Sequence, residues 1–265
     1  MTAPHPFSFD IGSLLSVARH AGQEILRVYH TTFEVRLKAD LTPLTKADES
    51  SNAIILAGLS DLTPDIPVLS EETQHAPYEE RMEWETMWLV DPLDGTKEFV
   101  KKNGEFAVCI GLIENGRPVL GVIYVPIYDA LYYGGAQLGA FVSTGGGPLV
   151  PIEAARHRPQ GPLVALKSRS HPDERLIDFM KPYSPIQWVT AGSAYKFCLL
   201  ASADAHVYPR LNKTYEWDTA AGHALLEGAG AIMTDLEGKP FLYNKPNLEN
   251  GPFIAKAPIF PDVFP

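Results

Sequence analysis

The sequence predicts an α+β arrangement followed by an α/β one, in two sheet-bearing halves that share a cleft. Three observations lead there. An amphipathic helix opens the chain, short apolar runs joined by turn signals fill residues 34–150, and strand-like and helix-like segments alternate after about residue 160.

In SLLSVARHAGQEILRVYH, Leu14, Ala18, Ala21, Ile25 and Val28 recur at three- and four-residue spacing and so share one helical face. Ser13 or Asp10 would cap its start. EVRLKAD alternates Val35, Leu37 and Ala39 as a half-buried strand, and TPLT reads as a turn. A second helix is expected from Asp48 to about Leu59, stopped near Pro64. IPVLSEE and MWLVD are short apolar runs that each end in acid. FAVCIGLI and PVLGVIYVP flank ENGR, a hairpin signal because Asn115-Gly116 accepts positive φ cheaply. ALYYG and GAFVS flank a further glycine-containing turn. Gly145–Gly147 and RHRPQGP mark a junction near residue 160, dividing 1–160 from 161–265. Beyond it come LVALKS, PDERLIDFM, IQWVT, SAYKFCLLASA, HVYPR, WDTAAGHALLEG and AIMTD, a strand–helix alternation. Trp84, Trp88, Tyr132 and Tyr133 read as core.

Composition narrows the function. The chain has 265 residues, 45% hydrophobic and 20% charged, as expected of a soluble globular protein. A formal charge of −10 argues against binding nucleic acid polymers. Two cysteines, Cys109 and Cys198, rule out a disulfide framework and fit a reducing, cytoplasmic setting. The start MTAPHPFSFDIG lacks a basic segment followed by an apolar one, and no apolar run approaches the ~20 residues of a membrane span.

The chemistry concentrates in WLVDPLDGTKEF. An apolar strand delivers Asp91 to a bend, and Asp94 follows three residues later. Pro92 fixes φ there, and Gly95 removes side-chain bulk where a ligand could approach. Thr96 opens what reads as a short helix, whose first N–H groups would face an anion. Two carboxylates beside free N–H groups suit a cation–phosphate pair. An Asp-rich surface turn is the plain alternative, but carboxylates directly after an apolar strand need a partner. Glu71 and Glu72 end the strand IPVLS, and Asp218 begins the helix DTAAGHALLEG. Each has a plain reading, as a solvated strand end or a helix cap. Together with Asp91 and Asp94 they would border one cleft, where only a divalent cation makes such a cluster stable.

SEE, DPLDGTKEF and WDTAAGHALLEGAGA resemble the signature blocks of the inositol monophosphatase superfamily. LTPLTKAD, VLSEET, WLVDPLDGTKEFVKKNGEFAV, SRSHP, YKFCL and YPR are similar to its bacterial CysQ-type 3′(2′),5′-bisphosphate nucleotidase branch, almost from end to end. The resemblance implies a layered α-β-α-β-α sandwich and two or three Mg²⁺ ions held by Glu71, Asp91, Asp94, Asp218 and the carbonyl of Leu93. It implies that Gly95 and Thr96 present N–H groups to the scissile phosphate. Thr96, with Asp48 behind it and Glu71 assisting, would orient and deprotonate the attacking water. Read without the resemblance, Asp48 serves equally well as a helix N-cap. The implied substrate is adenosine 3′,5′-bisphosphate or its phosphosulfate form, with inhibition by Li⁺. His171, Ser193, Lys196 and Arg210 are candidates for the phosphate that is not cleaved. Their plain readings are a helix N-cap for His171 and solvated surface cations for Lys196 and Arg210. Peripheral attachment to the inner face of a membrane, and a monomer or homodimer, are both compatible with the resemblance.

Other classes fit less well. A broader inositol-phosphate-type phosphomonoesterase would use the same metals. Haloacid-dehalogenase-like phosphatases place their second Asp two residues after the first, and here the interval from Asp91 to Asp94 is three. Neither cysteine has the Arg six residues later that cysteine phosphatases need. An EF-hand fails because Lys102 stands at the twelfth position from Asp91. A catalytically dead nucleotide sensor would be expected to lack one of the acids or Thr96.

Overall fold

The computed structural model describes residues 7–38, 43–157 and 159–260. Ala39 and Thr42, assigned above to a strand and a turn, lie outside them. Seven helices and sixteen strands are described: α1 (Ile11–Tyr29), β1 (Val35–Leu37), β2 (Pro43–Thr45), α2 (Lys46–Leu62), β3 (Val68–Ser70), α3 (Tyr78–Arg81), β4 (Thr86–Asp94), α4 (Thr96–Val100), β5 (Ala107–Glu114), β6 (Arg117–Val125), β7 (Ala130–Gly135), β8 (Gly139–Thr144) and β9 (Val150–Ile152) precede residue 160. After it come β10 (Leu163–Ser168), α5 (Arg175–Met180), β11 (Ile186–Ala191), α6 (Tyr195–Ala201), β12 (Val207–Arg210), β13 (Thr214–Tyr215), α7 (Glu216–Gly228), β14 (Ile232–Asp235), β15 (Glu249–Asn250) and β16 (Phe253–Lys256).

Strands β3 to β9 form a seven-stranded sheet in chain order, antiparallel except for β3 beside β4. The hairpin predicted at ENGR joins β5 to β6, with Asn115 and Gly116 both at positive φ. A second sheet has the order β11-β10-β12-β16-β14. Period-two alternation gives the large sheet two apolar faces. Trp88, Val90, Val108, Ile110 and Val122 meet α1 and α2, whereas Met87, Leu89, Cys109 and Ile123 meet α6 and α7. Helix α7 touches β4 to β8, and the same apolar cluster includes Tyr208, Phe253 and Ala255 of the second sheet. Met180 of α5 packs with Leu163, Val207 and Ile254 on that sheet's far side. The layers therefore run α, β, α, β, α. The residue-160 boundary lies between β9 and β10, beneath a core built from both sides of it.

Three local readings change. β1 is exposed at all three residues and, among the described residues, pairs with β2 in a separate ribbon, so Val35 and Leu37 are not half-buried. Pro43–Thr45, read as part of a turn, is the other strand of that ribbon. Helix α2 begins at Lys46, because Thr45 is the cap and Asp48 completes a capping box as the third helical residue. At α1 the cap is Asp10, whose carboxylate accepts from the Ser13 N–H at 2.8 Å. Among the described residues no helix is long and apolar enough to cross a membrane.

Helix α7 can lie between two sheets because small residues let it approach closely. A Cβ at Gly121 of β6 would stand 2.0 Å from the Ala221 carbonyl oxygen, which is backbone and cannot move aside. Gly121→Ala is expected to cost roughly 3 kcal/mol. Urea denaturation checks this; an unchanged midpoint would contradict the close helix–sheet contact.

Candidate active site

Strand alternation also aims the first acid of the motif. Met87, Leu89 and Asp91 share the face of β4 that looks toward α7, so Asp91 continues an apolar row as a 2% exposed carboxylate. β4 runs on through Pro92, and the register with β5 shifts between Asp91 and Asp94. That bulge is what lets a proline sit inside a central strand. The Leu93 N–H donates to Asp91 Oδ1 at 3.0 Å. Gly95 then turns at φ 94°, where a Cβ would meet the Glu105 carbonyl oxygen at 2.9 Å, and Thr96 starts α4 as read from the sequence.

Glu71 follows β3, which lies beside β4, and Asp218 comes from the first turn of α7. Glu71, Asp91 and Asp218 each offer an oxygen within 4.8 Å of the others. Asp218 is the third residue of a helix that begins at Glu216, and its carboxylate accepts the Tyr215 N–H at 2.7 Å. It is thus not the helix start the sequence suggested, and its second oxygen remains for the cluster. Asp94 turns to the other wall, where it accepts the Ala194 N–H. The Leu93 carbonyl accepts from Thr96 Oγ1 at 3.3 Å. Glu72 instead pairs with Lys38, whose Nζ lies 2.7 Å from Glu71 and 2.5 Å from Glu72.

The acids destabilise one another here. Burial, then Glu71, Asp94 and Asp218, push the Asp91 carboxyl well above its ordinary range. Burial and the neighbouring carboxylates do the same to Asp218. Asp94 is pushed up to about 6, chiefly by burial and against the pull of Lys196. Glu72 is raised to about 7, again by burial, with Lys38 opposing. Burial would lower Lys38, but Glu71 and Glu72 outweigh it and hold the amine above its usual value. Hard oxygen donors on buried carboxylates that resist ionisation suit a divalent cation.

The sign of the pH effect follows. In the metal-free protein the folded state holds the Asp94 proton up to about pH 6, whereas an unfolded chain releases it near 3.8. Between those values the folded state binds more protons, so this contribution to stability falls as pH rises. Asp91 and Asp218 act in the same direction. The metal-free protein is expected to melt higher near pH 5 than near pH 7.5, and a divalent cation to recover the difference at pH 7.5. Calorimetry at the two pH values, with and without chelator, checks this; no cation effect would contradict it.

Asp48 is not the helix N-cap, which is Thr45, but its two oxygens touch both the cap and Thr96. Its Oδ2 accepts from the Thr45 N–H at 2.8 Å and from Thr45 Oγ1 at 2.7 Å, while Oδ1 accepts from Thr96 Oγ1 at 3.1 Å. It is 1% exposed, and burial raises its pKa. One oxygen closes the capping box and the other reaches the cleft through Thr96.

All the other candidates line one cavity of about 970 Å³, the acids together with His171, Ser193, Lys196 and Arg210. Lys196 and Arg210 are buried rather than solvated cations. Lys196 Nζ donates to the Ser193 carbonyl at 2.5 Å, under the loop that leads into α6. Ser193 stands two residues before that helix, at φ 49°. His171 is no helix cap, since α5 begins at Arg175; its Nε2 lies 3.0 Å from Lys97 Nζ. Lys38 was not singled out from the sequence; Lys97 stood there within Lys97-Glu98-Phe99, whose place after Asp-Gly-Thr favours the nucleotidase branch by resemblance, but without a site role.

Clustered carboxylates and buried cations lining one cavity suit a metal-assisted phosphate-ester hydrolase. The profile of the inositol monophosphatase family matches residues 11–258, and the chain belongs to that family. It is 47% identical over 229 residues to the 3′(2′),5′-bisphosphate nucleotidase CysQ of Salmonella typhimurium strain LT2, covering 86% of this chain and 91% of that protein. It is 45% identical over 235 residues to the protein of the same name from Escherichia coli strain K12, covering 88% and 93%. The crystal structure of CysQ from Bacteroides thetaiotaomicron, described as a bacterial member of the inositol monophosphatase family, superposes with a TM-score of 0.83 at 37% identity, over 95% of this chain and 98% of that one.

Proposed function

We propose that this protein is a Mg²⁺-dependent 3′(2′),5′-bisphosphate nucleotidase that hydrolyses adenosine 3′,5′-bisphosphate to AMP and phosphate. The observation that carries this reading is one cavity lined both by the carboxylate cluster Glu71, Asp91 and Asp218 and by the buried cations Lys196 and Arg210. A substrate with two phosphates matches both. The names of the CysQ relatives support the choice of substrate.

In this reading Glu71, Asp91, Asp94, Asp218 and the Leu93 carbonyl would hold two or three Mg²⁺ ions. Bound there, the metal supplies a Lewis acid for the phosphate oxygens and acidifies a water. The protein's own groups do the rest. Gly95 and Thr96 present backbone N–H groups to the scissile phosphate. Thr96 Oγ1, fixed by its bond to Asp48 Oδ1, accepts a proton from the attacking water while passing its own to Asp48. Glu71 orients that water from the metal side. Asp48 can take the proton because burial has already raised its affinity for one. His171, Ser193, Lys196 and Arg210 bind the phosphate that is retained. Residues 1–160 thus carry most of the metal side, and 161–265 bring Asp218 and the nucleotide side. The two buried free thiols, Cys109 and Cys198, suit a reducing cytoplasm.

Phosphate release from equal concentrations of adenosine 3′,5′-bisphosphate and inositol monophosphate, with Mg²⁺, tests the assignment. The bisphosphate is expected to be strongly preferred. A preference for inositol monophosphate would contradict it.

A further inference from the structure

Lys97 lies outside the metal-facing set, yet it spans the cleft. It follows Thr96 directly in α4, and its Nζ reaches Nε2 of His171, beyond β10, at 3.0 Å. An ammonium has no lone pair, so Lys97 donates and the ring nitrogen accepts. That requires a neutral His171. Burial, then Lys97, Arg210, Lys196 and Lys101, hold its pKa down to about 4. Among the described residues no carboxylate lies within ion-pair distance of Lys97, Lys196 or Arg210. Lys196 and Arg210 are 4% and 9% exposed, and their donors go to backbone carbonyls: Ser193 and Ala191 for Lys196, Asn212 and Lys213 for Arg210. Lys196 acts on Asp94 and Arg210 on Asp218, whereas Lys97 Nζ meets a neutral ring and can pair with a bound anion.

In the nucleotidase reading this anion is the phosphate that is not hydrolysed, since the reacting one would be held at the carboxylates by the metal bound there. We propose that Lys97 is a specificity-determining residue, its ammonium held by His171 across the cleft so that it pairs with a second phosphate on the same substrate. This rests on the nucleotidase reading above and deepens it. Lys97 and Thr96 are consecutive, so the distance between the retained phosphate and the reacting one is set by one short piece of backbone. A monophosphate leaves Lys97 unpaired and gains little from it.

The test compares kcat/KM for adenosine 3′,5′-bisphosphate and adenosine 3′-monophosphate in the wild type, Lys97→Ala and Lys97→Arg, at saturating Mg²⁺. Lys97 is exposed at the cavity wall, so the fold should survive both changes. Lys97→Ala is expected to lose about 30-fold on the bisphosphate, mostly in KM, and less than about threefold on the monophosphate, with Lys97→Arg recovering much of the loss. Equal losses on the two substrates, or none, would overturn the inference. A wild type that does not favour the bisphosphate removes the nucleotidase reading and this inference with it. A preference that is undiminished in Lys97→Ala removes this inference and leaves the nucleotidase reading standing.

Discussion

Asp91→Asn should lose phosphate release by about a thousandfold and, in the same variant, raise the melting temperature of the metal-free protein. Both effects come from one buried charge. Asp91 is 2% exposed and stands among Glu71, Asp94 and Asp218, all of which oppose its ionisation. Asparagine has nearly the same shape, and its carbonyl oxygen can still accept the Leu93 N–H now bound to Asp91 Oδ1. The substitution therefore removes repulsion and keeps the hydrogen bond, worth about 3 °C in the metal-free protein. The same change takes an anionic ligand from the centre of the cluster, so the rise in melting temperature produced by Mg²⁺ should largely vanish. Melting curves with chelator and with Mg²⁺, beside a phosphate-release assay, read all three effects. A variant that is less stable without metal but still stabilised by Mg²⁺ would show that Asp91 is a structural acid.

Thr96→Ala should have the next largest effect, a fall of about a hundredfold in kcat with Mg²⁺ binding retained. The hydroxyl touches Asp48 and the Leu93 carbonyl, so removing it disconnects a buried carboxylate from the cleft and adds no charge. Thr96→Ser keeps the oxygen and should recover most of the rate. Calorimetric titration with Mg²⁺ separates the two roles. If Thr96→Ala lost metal affinity in proportion to activity, the hydroxyl would be supporting the metal site rather than carrying a proton.

Features held by neighbouring residues were legible in the sequence. The Asn115-Gly116 turn, the period-two rows of β4 to β6 and the short helix at Thr96 are set within a few residues of chain. So was the acid inventory, because Asp91 and Asp94 end an apolar strand and Glu71 ends its neighbour. What could not be read were pairings across long separations. Lys38 reaches Glu71 and Glu72 from 33 and 34 residues away, and Lys97 meets His171 across 74. Asp48 was open between cap and base because its contact with Thr96 lies far along the chain; the N-cap is Thr45, and Asp48 joins the capping box through one oxygen and meets Thr96 through the other. α2 was started two residues late since Thr45 was taken into a turn, and β1 was read as half-buried because its alternation is real although no sheet covers it. Asp218 was placed at a helix start because the two residues before it, Glu216 and Trp217, gave no local reason to extend the helix backward.

The central claim is that Glu71, Asp91 and Asp218 converge to hold a divalent metal against the phosphate. Crystals grown with Mn²⁺ and measured at the manganese absorption edge test it most directly. The account predicts an anomalous peak bounded by oxygens of those three side chains, weakened or lost in Asp91→Asn. Active, Mn²⁺-dependent enzyme whose crystals show no peak at that position would contradict it.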